Sequence, residues 1–167
     1  MNGGHGARPH EDGPACLSFP SNIATVPLEQ FENSVPILIM EKSLIADSGG
    51  AGEYRGGQAQ RLSFKIVSKH PVTMTIRHER VKYPPRGLLG GKDGSAGCDY
   101  LNGKKIPAKS RIELKNDDVV TFDTAGGGGI GSPENRSEKK IIQDLESGAV
   151  TKEAVERDYG FTEKGVV

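Results

Sequence analysis

The residue types best suited to chemistry gather near the start of the sequence. GGHGARPHEDG, from Gly3 to Gly13, carries His5, His10, Glu11 and Asp12, and Cys16 follows shortly after. Imidazole, carboxylate and thiolate are all metal ligands. The spacing matches no structural zinc pattern, however, and no periodic helix or strand signal surrounds the stretch to fix such ligands in advance. Three readings stand: a metal site, a solvated loop, or a loop lining a pocket of a larger assembly. A second run, TAGGGGIGSP, fits GxGxxG through Gly126, Gly128 and Gly131. It follows a strand signal and precedes a helix signal, so its N–H groups could form an anion nest. No Lys-Ser/Thr pair closes it, Pro133 intervenes, and no βαβ unit surrounds it. Close passage of backbone beside other segments is the better reading. Arg55 in DSGGAGEYRGG and Arg86 in PPRGLLGGKDG could each grip a carboxylate or phosphate, or could be plain surface arginines. Ser48 precedes Gly49-Gly50 without a nucleophile elbow or a nearby His or Asp partner in sequence.

The elements that must position these residues are mostly strands. Residues 1–34 read as loop, with one helical turn at Leu28–Phe31. VPILIMEKSLI (35–45) is an apolar run of strand length. QRLSFKIVS (60–68) and VTMTIRHER (72–80) both alternate, around a Lys69-His70-Pro71 turn, and together predict an antiparallel hairpin. Asn102-Gly103 predicts a second hairpin within LNGKKI (101–106). SRIELK (110–115) and DVVTFDT (118–124) are further strands, with a turn at Asn116-Asp117. The period then changes. Ile141, Ile142 and Leu145 share a helical face in EKKIIQDLES (138–147), and Gly148 stands as its C′ residue. Thr151 caps a second helix, KEAVERDY, which Gly160 stops. The predicted class is α+β: a predominantly antiparallel β body with glycine-rich loops and a short C-terminal helical pair. The predicted divisions are a glycine/proline-rich segment at 1–34, a β-rich domain at 35–133 and a helical tail at 134–167.

Composition bounds the possible partners. The formal net charge is zero, which argues against a nucleic-acid or anionic-membrane protein, since either would need a basic face, and leaves room for a local patch alone. No window of about 18 apolar residues predicts a membrane span, and the N-terminal residues lack the design of a signal peptide. Cys16 and Cys98 lie far apart without a CxxC, so two free thiols in the cytoplasm are expected, with a single disulfide as the alternative. With 23 glycines and no Trp, a small core is expected, with loop surfaces that face a partner or a site.

Read together and in order, GGHGARPHEDG with SFPSN (18–22), DSGGAGEYRGG, PPRGLLGGKDG and LKNDDVVTFDTAGGGGIGSP resemble the C-terminal part of the hydantoinase B/5-oxoprolinase family, over nearly the whole chain to DYGF (158–161). That family includes N-methylhydantoinase B subunits and related acetone and acetophenone carboxylase subunits. Its chains are several hundred residues long, so the stretch at Gly3 is expected to be a cut edge of a split subunit, a truncation or a remnant. The resemblance implies ATP-dependent hydrolysis of a cyclic amide of the hydantoin or 5-oxoproline type. It implies as partners a hydantoinase A-like ATPase subunit and the upstream part of hydantoinase B. ATP and a divalent metal are expected elsewhere in the complex, with no cofactor or metal in this chain, and catalysis by the chain alone is not expected. The alternatives are a non-catalytic assembly module or remnant whose glycine loops pack on the missing half, or part of an ATP-dependent ketone carboxylase. Among the family-like positions, Arg8 and Asp12 stand as the catalytic pair, to orient a substrate carbonyl or water or else to shape the loop. Arg55, Arg86 and Ser48 stand as substrate-binding, and Gly3, Gly4, Gly6, Gly49, Gly50 and Gly126, Gly127, Gly128 and Gly129 as the loop glycines.

Overall fold

In the computed structural model, which describes residues 1–161 apart from Pro20 and Thr25, two antiparallel sheets face each other beside a bundle of glycine-rich segments. The larger sheet has the order β1-β2-β7-β4-β5 and the smaller pairs β3 with β6. The strands are β1 (Ile37–Leu44), β2 (Gln60–Ile66), β3 (Val72–Arg77), β4 (Cys98–Leu101), β5 (Lys104–Ile106), β6 (Lys109–Leu114) and β7 (Val119–Asp123). A short helix α1 (Leu28–Ser34) precedes them; α2 (Glu138–Glu146) and α3 (Lys152–Tyr159) follow. Pro20 of the SFPSN motif lies outside the described residues.

Alternation in β2 sends Phe64 and Ile66 into the core with Val120 of β7 and Leu114 of β6, and Leu62, Met74 and Ile112 pack around them. The opposite face of β2 is polar but not idle. Arg61 donates twice to the Asp123 carboxylate, at 2.7 Å each, and Ser63 Oγ meets Thr121 Oγ1 at 2.9 Å. The Asn102-Gly103 hairpin forms as predicted, joining β4 to β5 in register Leu101↔Lys104. The predicted hairpin between residues 60–68 and 72–80 does not form. Both edges of β2 are taken, one by β1 and the other by β7. The chain beyond Ile66 therefore leaves the sheet, and β3 finds its partner in β6.

The helical pair forms where its period and caps place it. Ile141, Val150, Val155 and Tyr159 bury against Ala51 of the DSGGAGEYRGG loop. Gly148 and Gly160 both hold left-handed backbone, the conformation a helix stop favours. Thr151 Oγ1 accepts from the Ala154 N–H at 3.2 Å, and the Asp47 carboxylate receives both the Thr151 N–H and its hydroxyl. Thr151→Ala removes the cap and one of these tethers. It is expected to cost about 1 kcal/mol, read as a fall of roughly 2–4 °C in Tm by calorimetry.

Residues 125–131 form the axis of the glycine bundle. Their backbone is hydrogen-bonded outward in several directions. The Gly4 N–H donates to Ala125 O and the Ala7 N–H to Gly128 O, each at 2.9 Å. The Gly127 N–H donates to Gly57 O at 2.9 Å, and the Gly50 N–H to Gly127 O at 2.8 Å. Toward residues 86–95, Gly126 donates to Ser95 O, Gly129 donates to Lys92 O, and the Leu88 N–H reaches Gly129 O. Segments this close leave no room for side chains. A Cβ on Gly127 would fall inside the His5 carbonyl, and one on Gly128 inside the carbonyl of Arg86. The expectation that these loops pack on absent protein is thereby corrected: they pack on one another. The N–H groups of Gly126, Gly127 and Gly129 are spent on carbonyls of this chain, so they form no anion nest.

Candidate functional site

Two of the residues singled out from the sequence, Asp12 and Arg55, meet in a half-buried ionic cluster at the side of the glycine bundle. Its centre is Arg136, which follows the 3-10 turn at Pro133–Asn135 and whose side chain is sealed from solvent. Arg136 grips Asp12 with both terminal nitrogens, Nη1 to Oδ1 at 2.8 Å and Nη2 to Oδ2 at 3.0 Å. Nη2 also donates to Asp144 Oδ2 at 2.6 Å, and Nη1 to the Glu53 carbonyl at 3.1 Å. Asp144, on the inward face of α2, accepts from Arg55 Nη2 at 3.2 Å. Arg55 closes the circuit: its guanidinium holds Gly56 O at 2.8 Å and its backbone N–H donates to Asp12 Oδ1 at 2.7 Å. Acid and base alternate through Asp12, Arg136, Asp144 and Arg55. Each charge removed from water thus has a charge-assisted partner.

The surroundings set the protonation. Burial alone would push the Asp12 carboxyl up. The Arg136 guanidinium, the Arg55 N–H and the nearby Lys140 ammonium outweigh it and hold the group below the ordinary aspartate value. Lys140 Nζ lies 3.8 Å from Asp12 Oδ2 and 4.5 Å from the centre of the Tyr54 ring. Tyr159 stacks beside Arg136, and burial carries its hydroxyl up to about 12. Asp12 is therefore an ionised carboxylate with its oxygens occupied. A general base needs a free lone pair and a raised pKa, and this geometry offers neither.

The other predicted site residues do not join this cluster. Arg8 pairs with Glu11 at the exposed tip of its loop, through both backbone and side chain, and not with Asp12. This corrects the four-residue Arg8–Asp12 pairing. The turn at Pro9-His10 brings Arg8 back to Glu11, and Asp12 points the other way to Arg136. Ser48 is buried, its hydroxyl donating to Ile45 O and accepting the Ala59 N–H. Arg86 is exposed, while its carbonyl packs on Gly128. His5 Nε2 donates to Leu17 O at 2.6 Å. Among the described residues no group of three or more His, Cys, Asp and Glu is placed to hold a metal. Cys16 and Cys98 are free thiols, and no helix among the described residues is long and apolar enough to cross a membrane.

Comparison with known proteins finds relatives of this chain. The profile of the hydantoinase B/oxoprolinase family matches residues 1–133. An uncharacterized protein of Methanocaldococcus jannaschii is 40% identical over 137 residues, covering 80% of this chain and 24% of that protein. The 5-oxoprolinase of Dictyostelium discoideum is 31% identical over 139 residues, covering 80% of this chain and 11% of its own length. The crystal structure of ATP-dependent caprolactamase from Pseudomonas jessenii superimposes with a TM-score of 0.80 at 24% identity, over 98% of this chain and 31% of that one. The chain thus spans well under half the length of each of these proteins.

Proposed function

Since the chain belongs to the hydantoinase B/oxoprolinase family, we propose that it is the C-terminal segment of a hydantoinase B-like subunit. In this reading it serves ATP-dependent hydrolysis of a cyclic amide of the hydantoin or 5-oxoproline type. Its partners are the upstream part of that subunit and a hydantoinase A-like ATPase, which bring ATP and its divalent metal. The observation that carries this reading is the surface beside β1. Leu38, Met40 and Leu44 on that strand stand exposed, as do Phe19 and Ile23 on the preceding segment. β1 is also an edge strand. A run of large apolar side chains next to an open sheet edge is suited to being covered by more protein.

In this proposal the Asp12–Arg136–Asp144–Arg55 circuit and the Ser48 turn hold the glycine loops in shape and do not touch substrate. Arg86 keeps an exposed guanidinium for an anionic group. The reading is tested by purifying the chain alone and mixed with the upstream polypeptide and the ATPase subunit. Lactam or hydantoin opening coupled to ATP hydrolysis is expected only in the complete mixture. Association without any amide-opening activity would leave the chain an assembly module and overturn the catalytic reading. Met40→Asp is expected to block association while leaving the chain folded.

A further inference from the structure

Outside the Arg136 cluster, His78 and Asp99 form a second polar pair. His78 Nδ1 lies 2.6 Å from Asp99 Oδ1. Asp99 sits within β4, its side chain fully sealed, and its Oδ2 has no hydrogen-bond partner. The tautomer that pairs with this carboxylate donates from Nδ1 and carries its lone pair on Nε2. Backbone hydrogen bonds fix the two segments that flank the ring. The His78 N–H donates to Ala108 O, and the Gly97 N–H to Arg80 O. A Cβ on Gly97 would come within 2.7 Å of Nε2, so only glycine leaves the ring its place.

Nε2 has no protein partner among the described residues, and the side chain keeps 19% exposure. His78 stands on the wall of a cleft of about 580 Å³, which Arg77, Glu79, Arg80 and Thr124 also line. Arg80 holds left-handed backbone, with φ 60°, an uncommon state for a residue with a side chain. Glu79, the acid between them, is paired to Lys109, while Arg77 and Arg80 make no ion pair among the described residues.

We propose that His78 is the general base of a hydrolytic site in this cleft, that Asp99 is its positioning residue, and that Arg77 and Arg80 bind the carboxylate of an anionic acyl substrate. The step balances with water alone. Nε2 takes a proton from water as the water oxygen bonds to the acyl carbon and the carbonyl pair moves onto oxygen. Collapse of that intermediate breaks the bond to the leaving group, which departs with the proton returned from Nε2. The products are a carboxylic acid and a free alcohol or amine, and the imidazole is restored. This site needs neither ATP nor a partner, so it stands apart from the reading given above.

The test uses the full chain alone with two activated esters, mono-p-nitrophenyl succinate and uncharged p-nitrophenyl acetate. The chain is expected to hydrolyse both, with the lower KM for the succinate ester. His78→Gln is expected to lower kcat by about 10²–10⁴-fold, and His70→Gln to leave it unchanged. Gly97→Ala keeps both members of the pair but displaces the ring, and is expected to lower kcat as Asp99→Asn does. Arg80→Met is expected to raise KM for the succinate ester alone. Nitrogen-15 spectra of the wild type are expected to show His78 protonated on Nδ1, and this signature is expected to be lost in Asp99→Asn. Hydrolysis that survives His78→Gln, or no hydrolysis by a chain whose spectrum shows it folded, overturns the proposal. Either result leaves the ATP-dependent reading untouched.

Discussion

Gly127→Ala is expected to be the most damaging single-methyl change in this chain. The new Cβ would lie inside the His5 carbonyl and within 2.8 Å of the Gly6 nitrogen. Both obstacles are backbone, so no rotamer change relieves them. The same residue donates to Gly57 O and accepts from the Gly50 N–H, so moving it breaks bonds to two segments at once. The expected cost is about 3 kcal/mol or more, a drop of roughly 10 °C in Tm. Gly6→Ala is the matched control. Its Cβ would meet only Gly128 O, at 3.8 Å, an ordinary contact, and near-wild-type melting is expected. Equal melting temperatures for the two variants would mean that the bundle is not packed as described.

Arg136→Met is expected to cost about 3 kcal/mol, because it removes the sealed guanidinium that binds both carboxylates, leaving Asp144 with Arg55 alone and Asp12 with the Arg55 N–H and the more distant Lys140. Arg8→Ala, at an exposed Arg8–Glu11 pair, is expected to change stability by less than about 0.5 kcal/mol. The pH dependence has a fixed sign. The folded-state pKa of Asp12 lies below its ordinary value of 3.8, so its contribution is complete above that value. The contribution is lost as the pH falls through the lower, folded-state pKa. Asp158, held at about 2 by Arg157 and Lys92, acts in the same direction. Acid titration of the wild type followed by circular dichroism is expected to show stability falling below pH 4, with the Asp12 part of that fall absent in Asp12→Asn/Arg136→Met. A wild type whose stability rises in that range would remove the ion-pair account of the cluster.

What was legible in the sequence was local. The Asn102-Gly103 turn, the alternation in β2 and the Thr151 and Gly160 helix signals depend on a few adjacent residues, and the structure carries each of them. Strand partnering is not local: nothing in residues 60–80 reveals that β2 already has β1 on one side and β7 on the other. The glycine motifs announced close approach, but not what would be approached. Asp12 was visible as a candidate, but its partner Arg136 lies 124 positions away. Arg136 and Asp144, eight apart across the start of α2, look in sequence like ordinary polar residues at a helix entrance. Asp99 did leave a signal. An acid in a strand just before the Asn102-Gly103 turn, where alternation points it inward, is a buried carboxylate in search of a donor, and His78 supplies one.

The radiating hydrogen bonds of residues 125–131 also govern when the chain can fold. The segments they join begin near Gly3, Gly49 and Arg86, so the earliest must wait until the ribosome has delivered the latest. The β1–β2 and β3–β6 pairs can form before β7 is made, but the glycine stretches have no side chains with which to hold a provisional position. Closing contacts of such long separation is slow, and the nascent polypeptide stays open to proteases until residues 125–131 emerge. Pulse-chase proteolysis of stalled chains is expected to show protection arising in one step once position 131 is clear of the exit tunnel.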